Sequence, residues 1–469
     1  MNETERKQLD EFAFAHNGIL YFGKFCNGGG NNTTPIPGGV RVRYIMPSIR
    51  GLREPVYRTE YYAKGASVTA YPPLPAITDN RLEFDGYTHT LQELENLQND
   101  IDVGVMLKTV DGKTYADFTL TQVTGLSPTI YFQISGTATF RVNWGDGSYD
   151  DYSASATPSH TYPDYGNYTL TVERISGDGS FELGGGSNTT VFFGGSVANY
   201  QQALTGIYIG SFTNISNSAF NSCRSLSSVV IPNSVTSIAD STFSGCYSLS
   251  SVVIPNSVTS IGSFVFDNCR SLSSVVIPNS ITSIAVGTFS GCYSLSSVVI
   301  PNSVTSIANN TFTSCYTLSS VVIPNSVTSI GSYVFDNCRS LSSVVIPNSV
   351  TSIAGGTFSG CYCLSSVVIP NSVTSIADGT FNSCYCLSSV VIPNSVTNIG
   401  SYAFDSCYNL KSYTFLAEIP PSISTNVFSG ITSISKIYVP DASVESYKSA
   451  TNWTAYANRI YPLSQKPQE

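Results

Sequence analysis

Charged residues are scarce in this chain of 469 residues: they make up 11% of it, and the formal net charge is −9. Between residues 201 and 410 there is no Lys, Glu or His, and the only basic residues are Arg224, Arg270 and Arg339. An acidic chain with so few cations is poorly suited to follow a phosphate backbone, so we expect no nucleic-acid partner. The search for function therefore turns to uncharged surfaces.

Histidine and long apolar runs are also scarce. Of the three His residues, His16 and His89 have no Cys or carboxylate partner at metal-ligand spacing, and His160 belongs to a motif that is interpreted as structural. The many Ser residues lack the G-x-S-x-G setting of a nucleophile. No apolar run approaches the roughly 20 residues that cross a bilayer. We therefore expect no catalytic residue, no cofactor, no metal and no membrane insertion, and we predict that the protein is not an enzyme.

Cysteine, by contrast, is plentiful, and its spacing exposes a repeat. Nine of the 12 Cys recur every 23 residues, each three residues after a Phe that recurs at the same interval. A period between about 20 and 29 residues is typical of stacked leucine-rich coils. The Phe positions are 220, 243, 266, 289, 312, 335, 358, 381 and 404, and the Cys positions are 223, 246, 269, 292, 315, 338, 361, 384 and 407.

Each unit of the repeat reads L-x-x-V-V-I-P-N-S-V-T-x-I-x-x-x-x-F-x-x-C-x-x. The β-branched run predicts one short strand per coil, and the Pro, which lacks an N–H, ends that strand. Strand alternation predicts that Val252 and Ile254 face inward, and Phe266 and Cys269 should close the other side of the coil. One coil cannot bury this face alone, so a core forms only when coils stack.

This unit resembles the BspA-like leucine-rich repeat family, whose units carry I-P-x-S-V-T-x-I-G-x-x-A-F-x-x-C. The resemblance covers about residues 204–440. It implies a leucine-rich repeat solenoid at 204–436 and a C-terminal cap at 437–469 that stops the coils from stacking end to end. The family is found largely in surface-exposed adhesive proteins of host-associated microbes and in some phage-encoded proteins.

The middle Val of each strand is expected to point outward, because its two neighbours point inward. Eight strands at about 4.8 Å spacing would give an apolar column on the order of 34 Å long. An exposed stripe of that length usually marks an interface, so we predict a binding surface. The alternative is that these residues serve strand propensity alone. The column consists of Val230, Val253, Val276, Val299, Val322, Val345, Val368 and Val391.

The nine Cys of the repeat are interpreted as small buried hydrophobic residues. Cys363 and Cys386 differ from them, because each replaces the Ser that follows Tyr in most other coils. They lie one repeat apart, and a disulfide between them is one option. Zinc held together with Cys361 and Cys384 is a weaker option, because the spacing matches no known zinc finger and no His is near.

A second motif precedes the repeats: F-R-V-N-W-G-D-G-S from Phe140, then H-T-Y from His160, then Y-G-N-Y-T-L-T-V from Tyr165. It resembles the PKD domain, an immunoglobulin-like β-sandwich, over about residues 125–177. The resemblance implies a spacer or a contact with sugar or protein. Asp146 is expected to bond turn backbone, with a Ca²⁺ ligand as the alternative. The motif residues, read as structural, are Trp144, Gly145, Asp146, Gly147, His160, Tyr162, Gly166 and Tyr168.

The expected fold is mainly β and modular. A leucine-rich-repeat solenoid lies C-terminal to an immunoglobulin-like β-sandwich and a small N-terminal α+β or β module. Strands are expected from Val40, from Ser67 and from Tyr115, and a helix with a capping box from Thr90 to Asp100. The segments before the solenoid are an attachment segment at 1–39, a β-rich, β-grasp-like module at 40–124, the PKD-like sandwich at 125–183 and a linker at 184–203.

These features predict a non-catalytic adhesin or display protein whose solenoid binds a protein or glycan on a cell or host surface. The N-terminal sequence has charges of both signs and no apolar core of signal-peptide length. This favours a phage virion-associated fibre or decoration protein, anchored on a virion structural protein by its N-terminal region and extracellular after lysis. The alternatives are a bacterial cell-surface BspA-like adhesin and a purely structural spacer. A homo-oligomer would also fit a repeated surface.

Overall fold

The computed structural model of the chain is mainly β. It describes residues 138–153, 156–176, 214–430 and 436–467 without a break. The helix expected at 90–100 and the linker at 184–203 lie outside the described residues. No described helix has the length and apolar character of a membrane span. The shorter described segments are 13–16, 19–22, 40–45, 56–72, 74, 82–87, 101–109, 115–122, 129–131, 134–136, 181–183 and 204–209.

The N-terminal strands form a hairpin and a separate mixed sheet. The hairpin pairs β1 (Ala13–His16) with β2 (Ile19–Phe22). The sheet has the order β4-β3-β6-β5, with β3 parallel to β6 and the other neighbours antiparallel. Val42 and Tyr44 lie in its buried core, so the strand expected from Val40 is confirmed. The strand expected from Ser67 is wrong, because residues 67–71 are described and form no strand. The strands of this sheet are β3 (Val40–Ile45), β4 (Val56–Tyr62), β5 (Leu82–Tyr87) and β6 (Ile101–Thr109).

The motif-bearing region follows with short antiparallel strands. From Thr169 to Val172, half-buried and buried side chains alternate along β13 (Gly166–Ser176), because every second side chain faces the core. The strands of this region are β7 (Tyr115–Gln122), β8 (Thr129–Tyr131), β9 (Ile134–Gly136), β10 (Thr139–Asn143), β11 (Tyr149–Ser153), β12 (Ser159–Thr161), β13 (Gly166–Ser176) and β14 (Phe181–Leu183).

The repeats form the expected solenoid, with about 11 turns and two faces of short parallel strands. Strands of neighbouring coils pair in register, for example Ser320 opposite Ser343. The face that carries the Ser-Val-Val strands, called the strand face, consists of β15 (Leu204–Ile209), β17 (Ser228–Val230), β19 (Ser251–Val253), β21 (Ser274–Val276), β23 (Ser297–Val299), β25 (Ser320–Val322), β27 (Ser343–Val345), β29 (Ser366–Val368), β31 (Ser389–Ile392), β33 (Ser412–Phe415), β35 (Lys436–Val439) and β36 (Ile460–Pro462). The second face consists of β16 (Asn214–Ile215), β18 (Ser237–Ile238), β20 (Ser260–Ile261), β22 (Ser283–Ile284), β24 (Ser306–Ile307), β26 (Ser329–Ile330), β28 (Ser352–Ile353), β30 (Ser375–Ile376), β32 (Asn398–Ile399) and β34 (Ser422–Ile423).

Two columns of identical residues fill the interior of the solenoid. The Phe rings of successive coils stack with centroids 5.4 to 5.7 Å apart from Phe220 to Phe404, and each ring is fully buried. The nine repeat Cys are buried free thiols, as expected. Each from Cys246 to Cys407 donates its S–H to the carbonyl of the Phe in the preceding coil, at 3.1 to 3.3 Å. The column therefore satisfies backbone acceptors as well as filling space.

Two of the three sheets of the motif-bearing region continue into the solenoid, and the third is the separate pair β8 and β12. One sheet has the order β11-β10-β13-β7-β15-β17, and the other β9-β14-β16-β18-β20. Strand β7, placed by the sequence in the 40–124 module, pairs with β13 and with β15. The Phe118 and Phe220 rings lie 6.4 Å apart within one continuous core. This region therefore covers the open end of the first coil. Its immunoglobulin-like assignment stays a prediction.

A polar cap closes the other end of the solenoid. After β35 the chain forms a 3-10 turn (Asp441–Ser443), helix α1 (Val444–Ser449), a second 3-10 turn (Thr454–Arg459), β36 and a third turn (Leu463–Gln465). Trp453 is buried against Phe415 and donates its indole N–H to the Pro421 carbonyl at 2.9 Å. The Tyr447 hydroxyl donates to the Ala417 carbonyl at 2.8 Å. The cap therefore covers the apolar end and bonds to it.

Candidate functional site

The eight Val residues expected to form one exposed column divide into a covered and a free group. Val230, Val253 and Val276 are buried, with exposed fractions of 4%, 3% and 1%, and Val299 is half-buried. The prediction of exposure is therefore wrong for the first three. The free group, called the free Val column, consists of Val322, Val345, Val368 and Val391, with exposed fractions of 43%, 67%, 63% and 43%.

Strand β6 of the N-terminal sheet explains why Val253 and Val276 are covered. It lies against β19 and β21 on the strand face. Val253 and Val276 form a small buried cluster that is separate from the solenoid core. These side chains thus point outward, as strand alternation requires, but a second sheet occupies the surface there. They belong to an interface within the chain and are unavailable to a partner.

The free Val column begins where that cover ends. Its four residues span three coil spacings, or about 14 Å at 4.8 Å per strand. The Ser residues that start β25, β27 and β29 are exposed beside them. A shallow groove of about 490 Å³ lies at the start of the column and is lined by Asn302, residues 321–326 and Val345. The result is an apolar strip with hydroxyls on its flank and no charged side chain on its strands.

A second surface feature, which the sequence analysis missed, runs along the solenoid where the residue after each repeat Cys lies. These side chains stack in one unbroken series, with neighbours 4.3 to 5.5 Å apart, through five cation–aromatic and three aromatic–aromatic contacts. The series, called the cation–aromatic ladder, is Arg224, Tyr247, Arg270, Tyr293, Tyr316, Arg339, Tyr362, Tyr385 and Tyr408.

The ladder stabilises the stack of coils and offers few ring faces to a ligand. An exposed cation–π contact contributes roughly 0.5–1 kcal/mol, so several along one edge matter for a one-dimensional array. Each inner ring has its faces against its two neighbours, which leaves ring edges and hydroxyls at the surface. The signal in the sequence is the strict Arg-or-Tyr choice after Cys, but the contact exists only once coils are stacked in register.

The two exceptional Cys residues lie next to this ladder. Cys363 and Cys386 are exposed free thiols, each following a Tyr of the ladder. The amide of Cys363 donates to the Arg339 carbonyl at 3.1 Å, and that of Cys386 to the Tyr362 carbonyl at 3.0 Å. Both therefore occupy the same position in successive coils. Within the described residues, no group of three or more His, Cys, Asp or Glu is placed to hold a metal ion.

The residues of the W-G-D-G-S motif lie together and bond one another. His160 stacks on the buried Trp144 with centroids 4.8 Å apart, and its Nε2 lies 2.7 Å from an Asp146 carboxylate oxygen. The other oxygen of Asp146 accepts the amide and hydroxyl of Ser148 at 2.9 and 2.6 Å. The Tyr162 hydroxyl donates to the Trp144 carbonyl at 2.8 Å. Asp146 thus bonds turn backbone, as expected, and both of its oxygens have protein partners.

Glycine is required at one position of this turn. Gly145 has a φ of +84°, and a Cβ there would lie 2.4 Å from the Thr169 carbonyl oxygen. Gly147 also has a positive φ but faces open space. The outer motif residues support the same corner, since the Tyr162 and Tyr168 rings stack 3.9 Å apart. Gly166 begins strand β13. These contacts give the motif residues a structural role at this corner of the chain. The resemblance of the motif to a PKD domain stays a prediction.

The hydrogen bonds to the Asp146 carboxylate lead us to expect that the stability of the fold depends on pH. Burial alone would raise the pKa of its carboxyl, but the hydrogen bonds from Ser148 and His160 outweigh burial and lower the pKa to about 2. A lowered folded-state pKa stabilises the fold above the unfolded value of 3.8, and this contribution disappears as the pH falls from there through about 2. We expect Asp146→Asn to lose that dependence and to lower stability at neutral pH by about 1–3 kcal/mol.

Thermal unfolding of both proteins between pH 2 and 7 measures this difference. Asp164→Asn is the matched control, because the Asp164 side chain is exposed and only its backbone carbonyl accepts a bond, from Tyr168. Parallel curves for the wild type and Asp146→Asn through the acidic range would contradict the assignment.

The repeats match the family model described as the BspA type leucine rich repeat region, over residues 213–342 and 328–453. No curated protein matches the sequence. Among solved structures, a leucine-rich repeat protein from Bacteroides ovatus is 25% identical, with 65% of this chain and 90% of that chain covered and a TM-score of 0.36. The T. pallidum leucine rich repeat protein is 30% identical, with 44% and 83% covered and a TM-score of 0.29.

A leucine rich cell surface protein from Faecalibacterium prausnitzii is similar as well. It is 26% identical to this chain, with 49% of this chain and 91% of that chain covered and a TM-score of 0.29. These TM-scores are low, so family membership rests on the match of the repeat model.

Proposed function

Because this chain belongs to the BspA-type leucine-rich repeat family, we propose that it is a non-catalytic, adhesin-like protein of the cell surface. The observation that carries the proposal is the free Val column, in which Val345 and Val368 are 67% and 63% exposed. A contiguous apolar strip in water is unfavourable unless a partner covers it. The equivalent strip on the first coils is already covered by β6, which supports the same use for the remainder.

The chemistry of the column favours a protein partner over a glycan. Burying a Val side chain fully contributes roughly 1.5–3 kcal/mol, so covering four half-exposed Val residues contributes about 3–6 kcal/mol. Sugars are held by hydrogen bonds and open aromatic faces, and the ladder rings present few such faces. The Ser hydroxyls beside β25, β27 and β29 would bond polar groups at the rim of an interface.

The proposed test introduces charge into the free Val column. We expect Val345→Lys with Val368→Lys to reduce binding of the labelled full-length chain to cultured epithelial cells at least about tenfold, because a partner would have to desolvate two ammonium groups. Flow cytometry over a range of protein concentrations measures the effect. Circular dichroism should be unchanged, because both side chains already face solvent.

The control carries the same charges on the same two coils. Thr351→Lys with Thr374→Lys places them at exposed positions away from the column and should bind like the wild type. Equal loss in both double variants would indicate a charge effect on the whole surface and contradict the column as the site. Absence of binding by the wild type would favour the spacer alternative.

The cell-surface setting needs its own test. The family match gives no support to the phage-particle setting, which stays an alternative carried by the N-terminal sequence alone. Mass spectrometry of outer-surface fractions from the producing cells should detect the chain. Detection only in purified phage particles would overturn the proposed location.

A further inference from the structure

We propose that Cys363 and Cys386 form a two-thiolate site for a soft monovalent cation of the Cu(I) type. Both thiols are exposed and free, and they occupy one position in two successive coils. Most other coils have Ser at this position, and the Cys pair appears once. Soft thiolate ligands select Cu(I) over harder ions.

The separation of the two side chains suits a bridging ion. The neighbouring rings of Tyr362 and Tyr385, one residue before each Cys, are 4.7 Å apart and nearly parallel. Two metal–sulfur bonds of about 2.3 Å, as zinc makes to thiolate, would span about 4.6 Å in a linear S–metal–S unit. Equivalent positions on in-register coils are about 4.8 Å apart, so the two side chains can place their sulfurs on either side of a two-coordinate ion without moving the backbone.

A disulfide fits the same pair less well. Its sulfurs must approach to about 2.05 Å and its Cβ atoms to about 3.8 Å, which is about 1 Å less than the roughly 4.8 Å spacing of in-register strands, although that spacing lies within the Cα range of disulfides. Hydrogen bonds from both Cys amides to the preceding coil hold the backbone at its spacing. Closing the bond would require the two side chains to turn toward each other along the stack, away from the parallel orientation of in-register residues.

The surroundings restrict the site to these two thiols. The nine repeat Cys are buried, and burial raises the pKa of their thiols, to about 12 for Cys407, so they do not supply thiolates near neutral pH. No third Cys, His or carboxylate joins Cys363 and Cys386 within the described residues. Binding would release two protons and leave a bis-thiolate complex of charge −1. Arg339, stacked 5.5 Å from the Tyr362 ring, places a positive charge on the same edge.

Competition with a chromophoric Cu(I) chelator under anaerobic conditions tests the site. The reduced full-length chain should hold one more Cu(I) per chain than the Cys363→Ser, Cys386→Ser variant, and each single Ser variant should lose that ion. Ser occupies this position in most other coils, so the variants should fold. Cys26→Ser controls for the remaining Cys and should retain the ion.

A relocated pair makes the test independent of local sequence. Ser248 and Ser271 are exposed and occupy the same position as the Cys pair on two successive coils nearer the start of the ladder, with amides bonded to the preceding coil. Introducing Ser248→Cys and Ser271→Cys into the double Ser variant should restore the bound ion. Equal Cu(I) content in the wild type and the double Ser variant would overturn the proposal. So would rapid closure to a disulfide by oxidised glutathione without metal, since it would show that the sulfurs are not held apart.

Discussion

Replacing Phe312 with Ala is expected to lower the free energy of unfolding of the solenoid by about 3–5 kcal/mol, the range measured for large-to-small changes in protein cores. Phe312 is fully buried, and its ring lies 5.6 Å from Phe289 and 5.6 Å from Phe335. The substitution removes both ring contacts and leaves a cavity in the middle of the array. Because each coil contacts only its neighbours, the defect interrupts cooperativity between the two halves.

Urea unfolding followed by circular dichroism measures this loss. Phe312→Leu retains most of the volume and should cost about half as much or less. Val345→Ala in the adjacent region removes an exposed side chain and should be near neutral. A change below about 1 kcal/mol for Phe312→Ala would show that the Phe column is not the core of the stack.

Removing residues 436–469 is expected to make the chain self-associate. Strand β33 pairs with β35, so its outer edge would carry free N–H and C=O groups once β35 is absent. Phe415 and Phe428 would also lose Trp453, which packs against both rings. An apolar end with an unpaired parallel edge is a template for a second copy.

Size-exclusion chromatography with light scattering should show a larger, concentration-dependent mass for the truncated chain than for the full chain. Trp453→Phe is the control, because it keeps most of the ring packing and loses only the bond to the Pro421 carbonyl. An unchanged mass after truncation would indicate that the last coil protects its own edge.

The repeat allowed most of the solenoid to be predicted, because one period fixes the direction of every side chain in all coils. The inward positions of Val252, Ile254, Phe266 and Cys269 are all buried. The S–H bond to the Phe carbonyl could not be predicted, since it joins positions in different coils and depends on their stacking. The cation–aromatic ladder was missed for the same reason.

The candidate site was predicted in part. Alternation within one strand gives the outward direction of Val253 and Val345 alike, and the structure agrees with that direction for both. It carries no information about a distant segment, so the cover that β6 places over Val253 could not be foreseen. Strand β7 is a similar case. Its sequence pattern predicts a strand, but the pattern does not show that β13 and β15 are the strands it pairs with.

Because β6 covers only the first coils, the number of repeats determines how long the free Val column is. Coils with Gly followed by Ser and an aromatic residue recur every third unit, at Gly262, Gly331 and Gly400, so the array has grown in blocks of three nearly identical coils. A further block inserted after the covered coils would meet the same interfaces at both ends and would leave β6 and the cap unchanged. The covered Val residues would stay as they are, and the free Val column would become about 14 Å longer. Duplication of a three-coil block would thus lengthen the proposed binding surface, while β6 and the cap at its two ends would stay the same.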